Sequence, residues 1–313
     1  VVQRILIDCD PGIDDAVALM VAGATPAVSV QAVTATFGNV GLDGTSRNAL
    51  AVCELVGLDV PVYAGADRPL VRDVIGGRTF HGDTGLGGVD LPPPARAVAS
   101  GHAVTAIRAV VNRFPGEITL VVTGAMTNVA LALRLDPGIA AGIQRIVFMG
   151  GSTEAGNVTP AAEFNAFADP HAMRVVLESG IPLTMFGLNV THQVLATPDR
   201  IARIRGLGNP VADAAATMLG FYAESYRATY GWPGAALHDP CTIAHLLDPT
   251  LFTLRPMHVS VDTNEGQNFG RTTCDARRLT GRSANVDVAV TADADRFFDL
   301  LTTALAQYDR SRL

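Results

Sequence analysis

The chain contains no lysine: all 23 of its strongly basic side chains are arginine. Without a lysine amine there is no Schiff base to form and no phosphate-gripping Walker A loop, so both chemistries are excluded. Charge is sparse, at 17% of residues, and no apolar run reaches membrane-spanning length. A net charge of −7 and a pI near 5.4 leave no basic surface for phosphates. Nucleic acid and membrane are therefore not expected as partners. The four cysteines, Cys9, Cys53, Cys241 and Cys274, form no CxxC pair and no zinc spacing. The chain as given opens on a strand, with no secretory leader in view. Reduced, mostly buried thiols in a cytoplasmic protein are the expectation.

What is present is a large core. With 313 residues and 48% apolar side chains, the chain has room for one large α/β domain or two smaller ones. Strand-like runs at Ile5 to Asp8, Val28 to Phe37, Val60 to Ala64, Ile118 to Thr123, Arg145 to Met149 and Pro182 to Leu188 alternate with amphipathic stretches. Those stretches include Asn48 to Val56, Ala103 to Phe114, Asn128 to Leu135 and Pro170 to Glu178. The alternation predicts a mostly parallel open sheet with helices on both faces. Met257 to Asp262, Arg271 to Asp275 and Asn285 to Val290 read as further strands, and Ala294 to Tyr308 as a closing helix. No linker and no repeat interrupts the chain, so a single domain over 1–313 is expected. Two segments break the rhythm: the Gly- and Pro-rich Arg72 to Ala95, and Tyr222 to His238. Both read as irregular loops suited to a lid or to binding.

Four carboxylates crowd into the first junction, in the run Asp8-Cys9-Asp10-Pro11-Gly12-Ile13-Asp14-Asp15. An apolar strand precedes it, Pro11-Gly12 supplies a turn, and Asp14-Asp15 open a helix. Capping and turn preferences account for one or two such acids, not four. Two unit charges about 6 Å apart repel by roughly 3 kcal/mol at an effective dielectric of about 20. A hard divalent cation with oxygen ligands is the simplest remedy. In an open parallel sheet this junction also lies where ligands bind, beyond the carboxyl ends of the strands.

At Asp8-Cys9-Asp10-Pro11-Gly12-Ile13-Asp14-Asp15 the chain resembles the nucleoside hydrolases, the inosine-uridine-preferring ribohydrolase family. The likeness continues, in order, through Phe37-Gly38-Asn39-Val40, Val122 to Asn128, Met149-Gly150-Gly151, Ala162-Glu163-Phe164-Asn165 and His238-Asp239-Pro240. It implies a nucleoside hydrolase-like fold and calcium-dependent cleavage of the N-glycosidic bond of ribonucleosides. It further implies that Asp10, Asp15, Asp239 and the carbonyl of Thr123 hold calcium, with Asp10 also the general base. Asp14, Asn39, Asn157, Glu163, Phe164 and Asn165 would bind substrate, chiefly the sugar. His238, as an acid, and His81 would lie near the nucleobase. A histidine of near-neutral pKa suits protonation of the leaving base. Tyr226 and Tyr230, one helical turn apart, are candidate base contacts. Tyr230 matches a tyrosine of pyrimidine-preferring relatives, which favours uridine and cytidine, with inosine as a further substrate. The resemblance also implies a homodimer or homotetramer.

Plainer roles stand beside these. Asn39 and Asn157 are turn residues by position, Glu163 and Asn165 fit a solvated loop, and Asp239 fits a cap for a helix starting at Pro240. Tyr226, Tyr230 and Trp232 also suit packing at a helix end. Two rival functions share part of the pattern: a calcium-dependent nucleoside- or ribose-binding protein without turnover, and an aspartate-nucleophile phosphatase. The phosphatase also opens with Asp-x-Asp but normally uses a lysine beside the phosphate. This chain has none.

Overall fold

The structure is a computed structural model that describes residues 2–75 and 78–309. Its strands are β1 (Gln3–Cys9), β2 (Val28–Ala35), β3 (Val62–Ala64), β4 (Ile118–Val122), β5 (Ile143–Met149), β6 (Leu183–Phe186), β7 (Leu195–Ala196), β8 (Ala235–Ala236), β9 (Phe252–Met257), β10 (Val259–Val261), β11 (Thr272–Cys274) and β12 (Val286–Ala292). Eight of these form one sheet in the order β3-β2-β1-β4-β5-β6-β12-β9. Every neighbouring pair in it is parallel except β12 with β9. The helices are α1 (Ile13–Gly23), α2 (Leu42–Val56), α3 (Arg78–His81), α4 (Ala103–Arg113), α5 (Thr127–Leu135), α6 (Phe164–Ala168), α7 (Pro170–Leu177), α8 (Leu188–Thr191), α9 (Pro198–Arg205), α10 (Pro210–Tyr230), α11 (Pro240–Leu247) and α12 (Ala294–Leu305).

The central strand shows why the layers form. Ile5, Leu6 and Ile7 of β1 are all buried, as expected of a parallel strand covered on both faces. Successive residues point to opposite sides. Ile5, Ile7 and Cys9 pack with α1, α2, α10, α11 and α12, whereas Leu6 packs with α4, α5 and α7. The chain runs outward from β1 through β2 to β3, then returns to β4 on the other side of β1 and runs through β5 to β6. The reversal places a crevice at the carboxyl ends of β1 and β4.

Asp8 helps tie these strands together. Its Oδ1 accepts hydrogen bonds from Thr34 Oγ1 (2.5 Å) on β2 and Asn128 Nδ2 (2.9 Å) on α5. Asn128 also donates to the carbonyl of Ala35 and accepts from the Ala66 N–H at 2.8 Å. Burial pushes the Asp8 carboxyl up to about 7, opposed by the two hydrogen bonds. Asp8 Oδ1 is thus spent on the sheet, while its Oδ2 is buried without a hydrogen-bond partner.

The elements differ from the sequence reading in three places. Tyr222 to Tyr230 is not irregular: it is the second half of α10, whose buried residues Val211, Ala215, Met218, Leu219, Tyr222 and Tyr226 follow helical spacing. Asn209 caps this helix through Ala212 N–H, and Gly231, at φ +70°, ends it. The glycines and proline that follow masked a helix whose own signals are regular. Within the segment 72–95, Phe80 and His81 sit on the short helix α3; Gly76 and Gly77 lie outside the described residues. Residues 257–262 do not form one strand but the end of β9 and then β10, which pairs with β11. Among the described residues no helix is long and apolar enough to cross a membrane.

Replacing Asn128 by alanine should remove one of the two hydrogen bonds to Asp8 Oδ1 and leave the Ala66 N–H without its acceptor. Unpaired buried polar groups cost about 1–3 kcal/mol each, so urea unfolding of Asn128→Ala should show a loss of about 2–4 kcal/mol. A loss below about 1 kcal/mol would show that the bridge carries no weight.

Candidate active site

The strand ends deliver the acidic and amide groups to one cavity of about 260 Å³. Asp10 follows β1, Asn39 follows β2, Thr123 follows β4, and Met149 ends β5. Asp14 joins them from the first turn of α1, Asp239 from the start of α11, and Glu163, Phe164 and Asn165 from the start of α6. Asn157, His81, Tyr226, Tyr230 and His238 complete the lining among the residues expected from sequence. Asp15 lies directly behind it, bonded to the wall.

The floor is acidic and dry. Oxygens of Asp14, Asp15 and Asp239 lie within 4.8 Å of one another. Asp15 Oδ1 accepts from Thr123 Oγ1 at 2.7 Å, and its Oδ2 accepts from Gly12 N–H at 3.0 Å and Asn39 Nδ2 at 3.2 Å. Asp239 occupies the cap position of α11 but makes no side-chain capping bond; its carboxylate lies beside those of Asp14 and Asp15 instead. Asp10 Oδ2 accepts from Asn39 N–H at 2.8 Å, while its Oδ1 is buried without a hydrogen-bond partner. Burial lifts the Asp10 and Asp239 carboxyls well above the ordinary carboxylate range, and the charge of their acidic neighbours lifts them further. Asp14 and Asp15 rise too, again chiefly by burial. A donor set made entirely of oxygen, with one atom orphaned, fits a hard divalent cation. The resemblance gave Asp14 to the sugar; here its carboxylate stands in the same close cluster as Asp15 and Asp239.

Backbone room makes this possible. A Cβ on Gly38 would fall 1.9 Å from Asp10 Oδ2. Glycine at 38 is therefore what lets the β2 end close onto the carboxylate.

Around the floor, the amides are oriented by bonds that spend one end and free the other. Asn165 Nδ2 donates to the Thr123 carbonyl at 2.7 Å and to Met149 O at 3.2 Å, leaving its Oδ1 for the cavity. Asn39 Nδ2 is spent on Asp10 O and Asp15. Asn157 Oδ1 accepts from Phe164 N–H at 2.9 Å, which leaves its amide N–H groups as donors. Glu163 is neither solvated nor loose: it caps α6, accepting from Asn165, Ala166 and Gly151 N–H. Burial raises its pKa against those three backbone bonds.

An aromatic wall faces the acids. Tyr222, Tyr226 and Tyr230 rise along α10 at i, i+4 and i+8. Tyr226 OH meets His238 Nε2 at 2.7 Å, and Thr191 Oγ1 meets His238 Nδ1 at 2.8 Å. Tyr222 and Tyr226 meet edge to face, with ring centroids 5.0 Å apart. Burial holds His238 well below the ordinary histidine pKa, and burial pushes His81 down to about 4. Both imidazoles are therefore neutral at pH 7, contrary to the expectation of a near-neutral acid. Trp232 does not line the cavity; it packs behind Tyr226, Tyr230 and His192. Tyr222, Phe80 and Thr191 were not anticipated. Tyr222 was legible as the next residue back on the Tyr226–Tyr230 stripe, once 222–230 is read as helix. Phe80 and Thr191 carry no comparable signal.

The sequence model of the family described as inosine-uridine preferring nucleoside hydrolase matches residues 5–299. The chain is 42% identical over 306 residues to the pyrimidine-specific ribonucleoside hydrolase RihB of Escherichia coli (strain K12 / DH10B), covering 98% of both chains. Its fold superposes on that of a purine-preferring ribonucleoside hydrolase from Gardnerella vaginalis with a TM-score of 0.91, at 36% identity over 97% of this chain and 98% of that one. A plant nucleoside hydrolase gives the same TM-score of 0.91, at 33% identity over 97% and 99% of the two chains. An oxygen-only acidic floor, oriented amides and a phenol–imidazole wall sharing one cavity agree with that likeness along the whole chain. The chain belongs to the inosine-uridine preferring nucleoside hydrolases, enzymes that hydrolyse ribonucleosides.

Proposed function

We propose that this protein hydrolyses the N-glycosidic bond of uridine and cytidine ahead of inosine, using calcium, to release ribose and the free base. The observation that carries this reading is the buried acidic cluster with an orphaned Asp10 oxygen, opening into the same cavity as Tyr226 and His238. Asp10, Asp15, Asp239 and the Thr123 carbonyl are the calcium ligands in this reading, with Asp14 adjacent. The ion supplies the positive charge that offsets these acids and favours ionisation of water beside the ribose diol.

The protein's own groups do the rest. Asp10 keeps one oxygen fixed by the Asn39 N–H and has the other free to take a proton from the attacking water. Asn39, Asn157, Glu163 and Asn165 surround the sugar: the oxygens of Asn39, Glu163 and Asn165 favour the positive charge that builds as the bond to the base lengthens, and Asn157 offers its amide N–H groups to the sugar oxygens. Phe164, beside Asn157, shapes the same rim. On the far side, the departing base gains a proton from Tyr226, whose hydroxyl is hydrogen-bonded to neutral His238. His81 stands beside Tyr222, with ring centroids 5.1 Å apart. Tyr230, at 40% exposure, forms the outer edge where the base enters.

The pyrimidine preference rests on Tyr230 and on the likeness to a relative named pyrimidine-specific. The likeness in fold to a purine-preferring relative, at a TM-score of 0.91, supports inosine as a further substrate. We place the activity in one folded unit spanning 1–313, since the sheet takes its strands from residue 3 to residue 292. The family resemblance supports a homodimer or homotetramer in the cytoplasm.

Free sugar released from uridine, cytidine, inosine and adenosine, with and without chelator, tests the reading. Uridine and cytidine should lead, chelator should abolish release, and added calcium should restore it. Full activity in excess chelator would remove the metal from the account. Gly38→Ala should drive its Cβ into Asp10 and lower kcat by about 100-fold or more, the scale of displacing a general base. Near-normal kcat in that variant would show that Asp10 need not stay where it lies.

A further inference from the structure

His81 reaches the cavity on the four-residue helix α3, and the two ends of that helix are held very differently. Downstream, the chain is tied by its backbone. The His81 carbonyl accepts from Gly87 N–H at 2.9 Å, and Asn48 Nδ2 bridges the carbonyls of Thr84 (2.8 Å) and Pro11 (3.0 Å). His81 itself is seated on the start of α1: its Nδ1 accepts from Ile13 N–H at 3.1 Å. Gly12 makes that approach possible, since a Cβ there would lie 2.7 Å from His81 Nδ1. With Nδ1 an acceptor, the ring proton sits on Nε2.

Upstream, the described residues 73–75 make no hydrogen bond to the body of the protein. Ile75 there packs against Phe37, Ala66, Ala125 and Ala168, and Phe80 adds a ring contact with α10. Phe80 stacks on Tyr230, with centroids 5.8 Å apart and planes 13° apart, and lies tilted against Tyr226 at 5.4 Å. Offset aromatic pairs of this kind are attractive beyond the area they bury. Phe80 and His81 are adjacent, so the ring that grips α10 and the imidazole that grips α1 belong to one small body.

We propose that Phe80 is a positioning residue: by stacking on Tyr230 and Tyr226 it seats His81 on the Ile13 N–H, in the place from which it meets the nucleobase. This rests on the base-side role proposed above for His81, but the seating itself is a separate physical claim. Phe80 lies in no motif that carries the family likeness. Its role follows from adjacency: the Phe80 ring packs on α10 while the next residue's imidazole is bonded to the start of α1.

Two readouts test it, on the intact protein. The first is carbethoxylation of His81 by diethyl pyrocarbonate, followed by mass spectrometry of its peptide, with buried His238 as the internal control for folding. In the wild type both histidines should label slowly. In Phe80→Ala, His81 should label about tenfold faster or more while His238 stays protected, and Phe80→Tyr should restore protection. Phe80→Leu keeps the volume filled while removing the stack, and should also expose His81; it decides the matter if the alanine variant does not fold. The second readout is a double-mutant cycle on uridine. Phe80→Ala should lower kcat/KM about tenfold or more, yet add less than twofold to the loss in His81→Ala. His81 as protected in Phe80→Ala and Phe80→Leu as in the wild type would overturn the proposal. Losses that multiply in the double variant would also overturn it, because Phe80 would then act on the base directly. If His81→Ala alone leaves uridine turnover intact, the base-side role of His81 falls, and labelling still decides whether Phe80 seats it.

Discussion

Burying several carboxylates against one another is the constraint around which this protein is built. Three carboxylate oxygens within 4.8 Å repel by roughly 3 kcal/mol per pair at an effective dielectric of about 20. Withdrawal from water adds several kcal/mol for each charge left ionised. The fold meets this cost with local devices at a single crevice. The start of α1 turns its N–H groups and positive end toward Asp15. Asn39 and Thr123 donate to the acids, and glycine at 38 lets the backbone close on Asp10. These devices ease the repulsion without cancelling it, as the raised carboxyl pKa values show. In the function proposed above, a doubly charged cation would complete the balance and grip the vicinal diol of the sugar.

The opposite wall follows a different logic. It carries no charge at neutral pH: phenols and neutral imidazoles face the base, held by burial and by hydrogen bonds to each other. A positive imidazolium here would gain from the acids across the cavity but lose more to desolvation. Proton delivery through hydroxyls keeps a donor in place without a standing charge. The two walls thus divide the chemistry, with charge handled at the sugar and hydrogen bonding at the base.

How much of this was legible in the sequence depended on distance along the chain. The acidic junction was plain because its members lie within eight residues, and the strand–turn–helix pattern placed them at the sheet's carboxyl edge. The parallel sheet was equally plain from alternating β and α signals. Asp8 misled, because it stands among the crowded acids of the junction; in the fold Asp10 lies past the end of β1, while Asp8 bonds to Thr34 and Asn128. Glu163 hid its double role, since a carboxylate that caps a five-residue helix looks like a loop acid in sequence. The aromatic wall was least legible. Gly231, Pro233 and Gly234 drew attention away from α10, so Tyr222 was passed over, and Phe80 meets Tyr230 only through a contact between residues 150 positions apart.

The central claim is that these acids exist to hold a cation, and calcium titration of metal-stripped protein tests it most directly. Calorimetry at pH 7 in two buffers of different ionisation heat counts both ions bound and protons released. One calcium per chain should bind with net release of protons from the raised carboxyls, and Asp239→Asn should weaken that binding at least tenfold. No saturable binding to the wild type, or equal binding to Asp239→Asn, would contradict the account.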